Sequence, residues 1–245
     1  ELAPEEMASP QLGMQMGQAA LRTDGKRLSD ALPPVLAGQL DTWIQRNAAT
    51  LGKQGLPPQS LQRFEPWFVG LMVTLAGMAD QGLEARLGLD AHMAARAAEL
   101  QKPTSGLETG AQQIAFLDGM GAAEQLQFLE EALAESAKDG SEVRKLHAAW
   151  RAGDADTMWT EMALTMRTRY PALYQRINVA RNDAWVPAIE ARLARPGSDD
   201  TLVVVGALHL LGEDGLVEKL RLRGHAVERI CSACKAPAAA ATTAD

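Results

Sequence analysis

The chemistry in this chain concentrates on a few side chains, and the clearest is His209 at the end of Val205-Gly206-Ala207-Leu208-His209. In parallel α/β sheets, ligands collect where strands end, loops open and helix N-termini present free N–H groups. Gly206 there lets backbone or a ligand approach closely. A neutral imidazole at such a point can bind a metal, move a proton or simply satisfy a structural hydrogen bond. Glu108 follows a predicted strand and is read as a site carboxylate, as a salt-bridge partner or as the cap of the next helix, a role for which Thr109 also qualifies. Arg181 lies in a helical run near Asp183 and Glu190, so an ordinary ion pair stands beside a role in a site. Trp67, directly after Pro66, is a candidate to line a cavity, although tryptophans at apolar helical spacing most often fill cores.

Cys231 and Cys234 form a C-x-x-C pair beside an Ala-rich tail. Neither the strand-then-helix setting of a redox pair nor two further zinc ligands accompany them, so a local disulfide or an incidental pair leads over a redox or zinc role. No G-x-S-x-G elbow, G-x-x-x-x-G-K-[ST] loop or H-E-x-x-H motif occurs, which removes the main support for serine hydrolase, P-loop and H-E-x-x-H zinc protease readings.

Helices must position these groups, with a few strands. From residue 29 to 182 the apolar spacing is mostly helical. Ser29 and Asp30 precede Val35, Leu36, Leu40, Trp43 and Ile44. Pro66 opens a run that is apolar on nearly every side, through Val69, Val73 and Met78, and so belongs at the centre of a core. Strand signals gather near the C-terminal end. Thr201-Leu202-Val203-Val204-Val205 is β-branched and continuously apolar, which predicts a strand buried on both faces. A helix over 215–222, ended by Gly224, and a strand over 226–230 complete a predicted βαβ unit with parallel strands. Residues 102–107 supply a shorter strand. The predicted class is therefore α/β (α+β): a small, mostly parallel β-sheet, with a large and predominantly helical insertion over 28–100, a C-terminal βαβ unit over 200–230, one domain over 1–235, and a disordered tail over 236–245.

The charge balance, 24 Lys+Arg against 31 Asp+Glu for a net −7, opposes a nucleic-acid-binding surface, which needs excess positive charge. No run approaches the about 18 apolar residues of a membrane span. Residues 1–10 show no basic and then apolar leader pattern, and the absence of an initiator Met suggests an upstream segment.

Residues 201–230, TLVVVGALHLLGEDGLVEKLRLRGHAVERI, resemble the closing segment of the TraB/GumN proteins, relatives of the TIKI group. Lys102-Pro103-Thr104-Ser105-Gly106-Leu107-Glu108-Thr109 with Gln112 and Gln113, Trp150-Arg151-Ala152-Gly153-Asp154, and Ala180-Arg181-Asn182-Asp183-Ala184-Trp185 extend the resemblance over nearly the whole chain, in the family's order. The resemblance implies two G-x-x-H motifs, an acidic residue and an arginine gathered at one end of a sheet. The second G-x-x-H corresponds to Gly206 and His209, the arginine to Arg181, and the glutamate of the G-L-E-T block to Glu108. The first G-x-x-H has no counterpart here, and Glu1-Leu2 resembles the end of the strand that follows it, which makes Glu1 the family's acidic residue.

What the resemblance implies chemically is a metal-dependent hydrolase or peptidase of the cell envelope or periplasm, taking a peptide or small-molecule substrate. His209 and Glu1 would then bind a divalent ion (Mn, Co or Zn), Glu108, Arg181 and His209 would act on substrate, and Gly206 and Trp67 would line the pocket. Two rivals remain: a module that captures a peptide or small ligand without chemistry, and an inactive scaffold linked to polysaccharide export.

Overall fold

A computed structural model describes residues 1–53, 56–197 and 200–231. The chain is built from helices. α1 (Pro10–Ala19) carries Ser9 as its cap, and α2 (Pro34–Lys53), α3 (Pro66–Asp80) and α4 (Leu89–Glu99) follow. Next come α5 (Gly110–Asp118), α6 (Ala122–Ser136) and α7 (Ser141–Ala152). Prolines at the first position of α1, α2 and α3 sit where a helix has no N–H to lose.

Two longer helical rods complete the frame. In α8, Ala155–Met158 passes through the π turn Trp159–Leu164 into Thr165–Arg169. In α9, Pro171–Tyr174 passes through the π turn Gln175–Val179 into Ala180–Leu193, which runs on through Pro187. A short α10 (Leu216–Leu222) closes the order.

The main core lies where α3 packs on α6, with Leu28, Leu40, Leu61, Val69, Val73 and Leu129 wholly buried. Gly70 allows this approach. A Cβ there would stand 3.0 Å from Phe128 Cδ1 and 3.3 Å from the Leu129 Cα, tighter than side chains pack without adjustment. A separate apolar cluster holds Trp185, Val186, Ile189 and Leu216, with Leu107, Val203 and Val205 packed against it. It joins α9 and α10 to the two segments expected as strands.

Those segments overturn the predicted α/β class. Among the described residues there is no small parallel sheet and no βαβ unit. Among the described residues the only β pairing is one isolated antiparallel bridge between Leu21 and Phe64, and the architecture is mostly helical. The β-branched run 201–205 is extended, but Leu202 is 73% exposed and Val203 and Val205 are half-buried against helices rather than covered on both faces. Residues 102–107 and 201–205 do approach the same short segment. Glu1 N–H donates to the Val204 carbonyl at 3.2 Å, and the Glu1 carbonyl accepts from Leu107 N–H at 2.8 Å. Pro4 then opens a helical turn, so Glu1–Ala3 gives a single rung on each side rather than a ladder. Residues 226–230 are largely exposed, with Ile230 at 90%.

Cys231 is disulfide-bonded. Cys234 and the tail over 236–245 lie outside the described residues. No helix among the described residues is long and apolar enough to cross a membrane.

Candidate functional site

Four of the residues singled out from sequence meet in one place, drawn from four distant stretches of chain. Arg181 is at their centre. Its position follows from α9, whose inward face carries Tyr174, Asn178, Asn182, Trp185 and Ile189 at helical spacing, all buried. Arg181 projects from the edge of that face. Its guanidinium carbon lies 4.7 Å from the centre of the Trp185 ring and 5.7 Å from that of Phe116, a π-rich wall that suits a planar cation.

Glu108 comes from the turn before α5. Thr109, not Glu108, caps that helix: its hydroxyl accepts from Gln112 N–H at 3.2 Å, while the Gln112 side chain accepts from Thr109 N–H at 2.8 Å. Glu108 is therefore free to turn inward. It accepts from Arg181 Nε at 3.1 Å and Nη2 at 2.5 Å, a bidentate pair, and from Gln113 Nε2 at 3.2 Å. Glu1 accepts from the same Nη2 at 2.5 Å through Oε2, and its Oε1 lies 3.4 Å from Gly206 N and 3.5 Å from His209 Nε2. The near neighbours that could have engaged Arg181 are occupied elsewhere, Asp183 by Lys219 and Glu190 by Arg223 and His225.

His209 sits in a 3₁₀ turn, Ala207–Leu210, buried, with its ring 4.5 Å from that of Trp185. Nε2 faces Arg181 Nη1 at 3.3 Å, and Nδ1 faces the Asn182 side-chain oxygen at 2.7 Å. Burial, with the Arg181 charge beside it and against the pull of Glu1, lowers the imidazole from the usual 6.5 to about 4. At neutral pH it is uncharged. Burial would raise the Glu1 carboxyl, but the Arg181 charge and hydrogen bond outweigh it and hold Glu1 below its ordinary 4.5.

Both shifts act in one direction on stability. Below pH 6.5 the unfolded chain takes up a proton that folded His209 refuses down to about 4, so stability falls as pH drops through that window. The loss at Glu1 adds below 4.5. Urea midpoints should fall between pH 6.5 and 4 by the equivalent of about 2 kcal/mol, the conversion being discounted for partial solvent screening. His209→Gln should flatten most of that slope; an unchanged slope in this variant would assign it to other groups.

Trp67 is placed elsewhere. It is wholly buried in a cluster with Ala20, Phe68, Met120 and Leu173, a core position and not a wall of the four-residue site. Gly206 borders the site, where a Cβ would lie 3.4 Å from Glu1 Oε1. A cavity of about 350 Å³ beside Gly25, Arg27 and Gln62 and a groove of about 720 Å³ between α2, α3 and α6 include none of the four residues.

The positive charge of Arg181 bears on the divalent ion that the resemblance implied. Nη2 stands 2.5 Å from a carboxylate oxygen of both Glu1 and Glu108, and an ion held by Glu1 and His209 would stand against that guanidinium. Among the described residues no three His, Cys, Asp or Glu gather as a ligand set. As arranged, these residues do not fit a resident metal, which commonly takes three protein ligands.

Asn182, Asp214 and Tyr174 belong to the same neighbourhood and were not singled out from the sequence. The signal was present. Asn178 and Asn182 sit four apart on a helix face that is otherwise apolar, and a buried amide in that setting must have a partner.

A family model for the TraB/PrgY/gumN family matches residues 1–229 and so includes all four clustered residues. The resemblance carried by residues 102–113, 150–154, 180–185 and 201–230 is borne out at that level. No curated protein and no solved structure matches the chain.

Proposed function

The chain belongs to the TraB/PrgY/gumN family, and on that premise we propose that Glu1, Glu108, Arg181 and His209 form the active site of a hydrolase acting on a peptide or a small ester or amide. One observation carries the reading. An uncharged imidazole, buried to 5% exposure, faces a guanidinium and a carboxylate that come from remote parts of the chain. Ionisable groups held in perturbed states and pressed together are expensive to bury, and they concentrate where chemistry is done.

In this reading a water enters between Arg181 Nη1 and His209 Nε2, now 3.3 Å apart. His209 Nε2 takes a proton from the water as its oxygen attacks the substrate carbonyl carbon, and Glu1 offsets the positive charge that develops on the ring. Arg181 Nη1 donates to the oxyanion as it forms. The proton then passes from His209 to the leaving nitrogen or oxygen, which restores the neutral ring. Glu108 is a positioning residue, holding Arg181 by two hydrogen bonds. With a pKa near 4 His209 is a weak base, so Arg181 and Glu1 must supply much of the stabilisation.

An envelope location belongs to the same proposal. The disulfide at Cys231 supports it, because disulfides persist in oxidising compartments. A second reading, capture of a peptide or small ligand without chemistry, is favoured by a different fact: each nitrogen of the Arg181 guanidinium already has a partner within the protein.

The deciding experiment screens peptide, ester and amide libraries with the native-length protein, with and without added Mn²⁺, Co²⁺ or Zn²⁺, together with metal analysis. The hydrolase reading expects turnover that falls at least about 100-fold in His209→Ala with folding intact. Turnover unchanged in that variant overturns it. Binding without turnover favours capture, and near-stoichiometric metal lost in His209→Ala would replace the water activation described here.

A further inference from the structure

The hydrolytic reading uses only one side of the His209 ring. The other side rests on a buried polar frame with no part in that reaction. Asn182 is wholly buried, and its Nδ2 donates to the Asp214 backbone carbonyl at 2.8 Å. That bond orients the amide, because the reverse orientation would set the Asn182 oxygen against the Asp214 oxygen, two acceptors with no proton between them. The atom 2.7 Å from His209 Nδ1 is thus an amide oxygen, which only accepts. Across the ring, Arg181 Nη1 only donates.

We propose that Asn182 is a positioning residue that locks His209 as its Nδ1–H tautomer, with the Tyr174–Asp214 pair holding the lock in register. The opposite tautomer would place a lone pair against a lone pair at 2.7 Å and an N–H against an N–H at 3.3 Å. Either mismatch is costly for a buried polar group, and here both come together.

The support for Asn182 is itself held. Asp214 lies in the turn closed by Gly215 N–H on the Gly212 carbonyl at 3.1 Å. Asn178 Nδ2 donates to the Tyr174 hydroxyl at 3.1 Å, which directs the Tyr174 proton to Asp214 Oδ2 at 3.3 Å. On the solvent side Arg167 pairs with Glu213 at 2.5 Å and reaches Asp214 at 3.6 Å. Tyr174, Asn178 and Asn182 share one face of α9 at four-residue spacing, so a single helix sets the hydroxyl, its orienting amide and the lock. The consequence is an imidazole whose lone pair points at the guanidinium before any substrate arrives. That catalytic consequence rests on the hydrolytic reading; the tautomer does not.

The test is ¹⁵N NMR of the imidazoles in the full chain at pH 7, with the His209 signals assigned by their loss in His209→Gln. The chain has four histidines, which makes that assignment tractable. The wild type should show a protonated Nδ1 and a bare Nε2. Asn182→Ala should give signals averaged between the two tautomers and a kcat at least about tenfold lower, with KM nearly unchanged. Asn182→Asp, which keeps the size and the acceptor at Nδ1 but gives up the bond to the Asp214 carbonyl, should keep Nδ1 protonated. A protonated Nε2 with bare Nδ1 in the wild type overturns the proposal, and so does an unaveraged Nδ1–H ring in Asn182→Ala. Should Asn182→Ala fail to fold, the wild-type spectrum and Asn182→Asp still decide: loss of Nδ1 protonation in that variant counts against the lock. A locked ring in a protein that turns over nothing sinks the hydrolytic reading alone. Turnover by a protein with the opposite tautomer sinks the lock alone.

Discussion

Arg181→Met will destabilise the protein by about 3–5 kcal/mol at pH 7, the cost of stranding buried charge after removal of its partner. The side chains of Arg181, Glu108 and Glu1 are 14%, 9% and 27% exposed, so little water reaches the group to compensate. With His209 neutral, the guanidinium is the one cation paired with both carboxylates, and without it the two face each other with their shared partner gone.

The penalty should therefore shrink as pH falls. In the variant, the Glu1 carboxyl loses the cation that outweighs its burial, so its pKa rises above that of the unfolded chain and folding takes up a proton. Urea unfolding at pH 7 and pH 4.5 reads the difference directly, and a penalty equal at both values would mean that the guanidinium acts through packing on Trp185 and Phe116 instead. The triple replacement Glu1→Gln, Glu108→Gln, Arg181→Met should recover most of the loss, because no unpaired charge remains. A network kept for chemistry rather than stability is expected to behave this way.

Gly212→Ala should cost about 2–4 kcal/mol although it adds one methyl group. Gly212 has φ +70°, in the left-handed region that charges an L-residue about 1–2 kcal/mol. A Cβ there would also lie 2.2 Å from Trp159 Cζ3, so the indole or the turn must move, and overpacking of this kind costs about 1–3 kcal/mol. Gly17→Ala is the control. It lies inside α1 with nothing within 4 Å of the added Cβ and should be neutral or stabilising. The effect at Gly212 also reaches the site, since the displaced turn carries the Asp214 carbonyl that orients Asn182. Calorimetry on the two variants, with the His209 ¹⁵N spectrum of Gly212→Ala, checks both claims. A Gly212→Ala protein as stable as Gly17→Ala would show that Trp159 yields freely.

Much of the helical frame was legible because helix signals are local. Pro66 and the apolar run behind it mark α3, which spans Pro66–Asp80. The run 201–205 was misread for the complementary reason. Its β-branched residues do favour extended backbone, and the backbone is extended, but a sheet needs successive pairings with a second segment, which no local pattern encodes. Among the described residues only the Glu1 rung reaches it. Glu108, Arg181 and His209 were legible through the order of family blocks, and the structure adds that Thr109 releases Glu108 by taking over the cap. Trp67 follows a proline at a helix start, a position that reads equally well as wall or core until the packing of α3 is known. Asn182 escaped notice because its importance lies in what it faces, and the π turn over Gln175–Val179 shifts the helical register just ahead of it.

The sequence separations within the cluster have a further consequence, for the order in which the molecule becomes competent. Arg181 is 180 positions from Glu1 and 73 from Glu108, and Gly206 meets Glu1 across 205. Helices form in microseconds from neighbours, whereas contacts of this span must wait until the largest loops in the chain have closed. A chain with every helix in place and the cluster still open would pass for folded by circular dichroism. It would nevertheless have no guanidinium between its carboxylates and no imidazole beside them. The four-residue site thus depends on the contacts of longest span described here, and its appearance reports that loops of that length have closed.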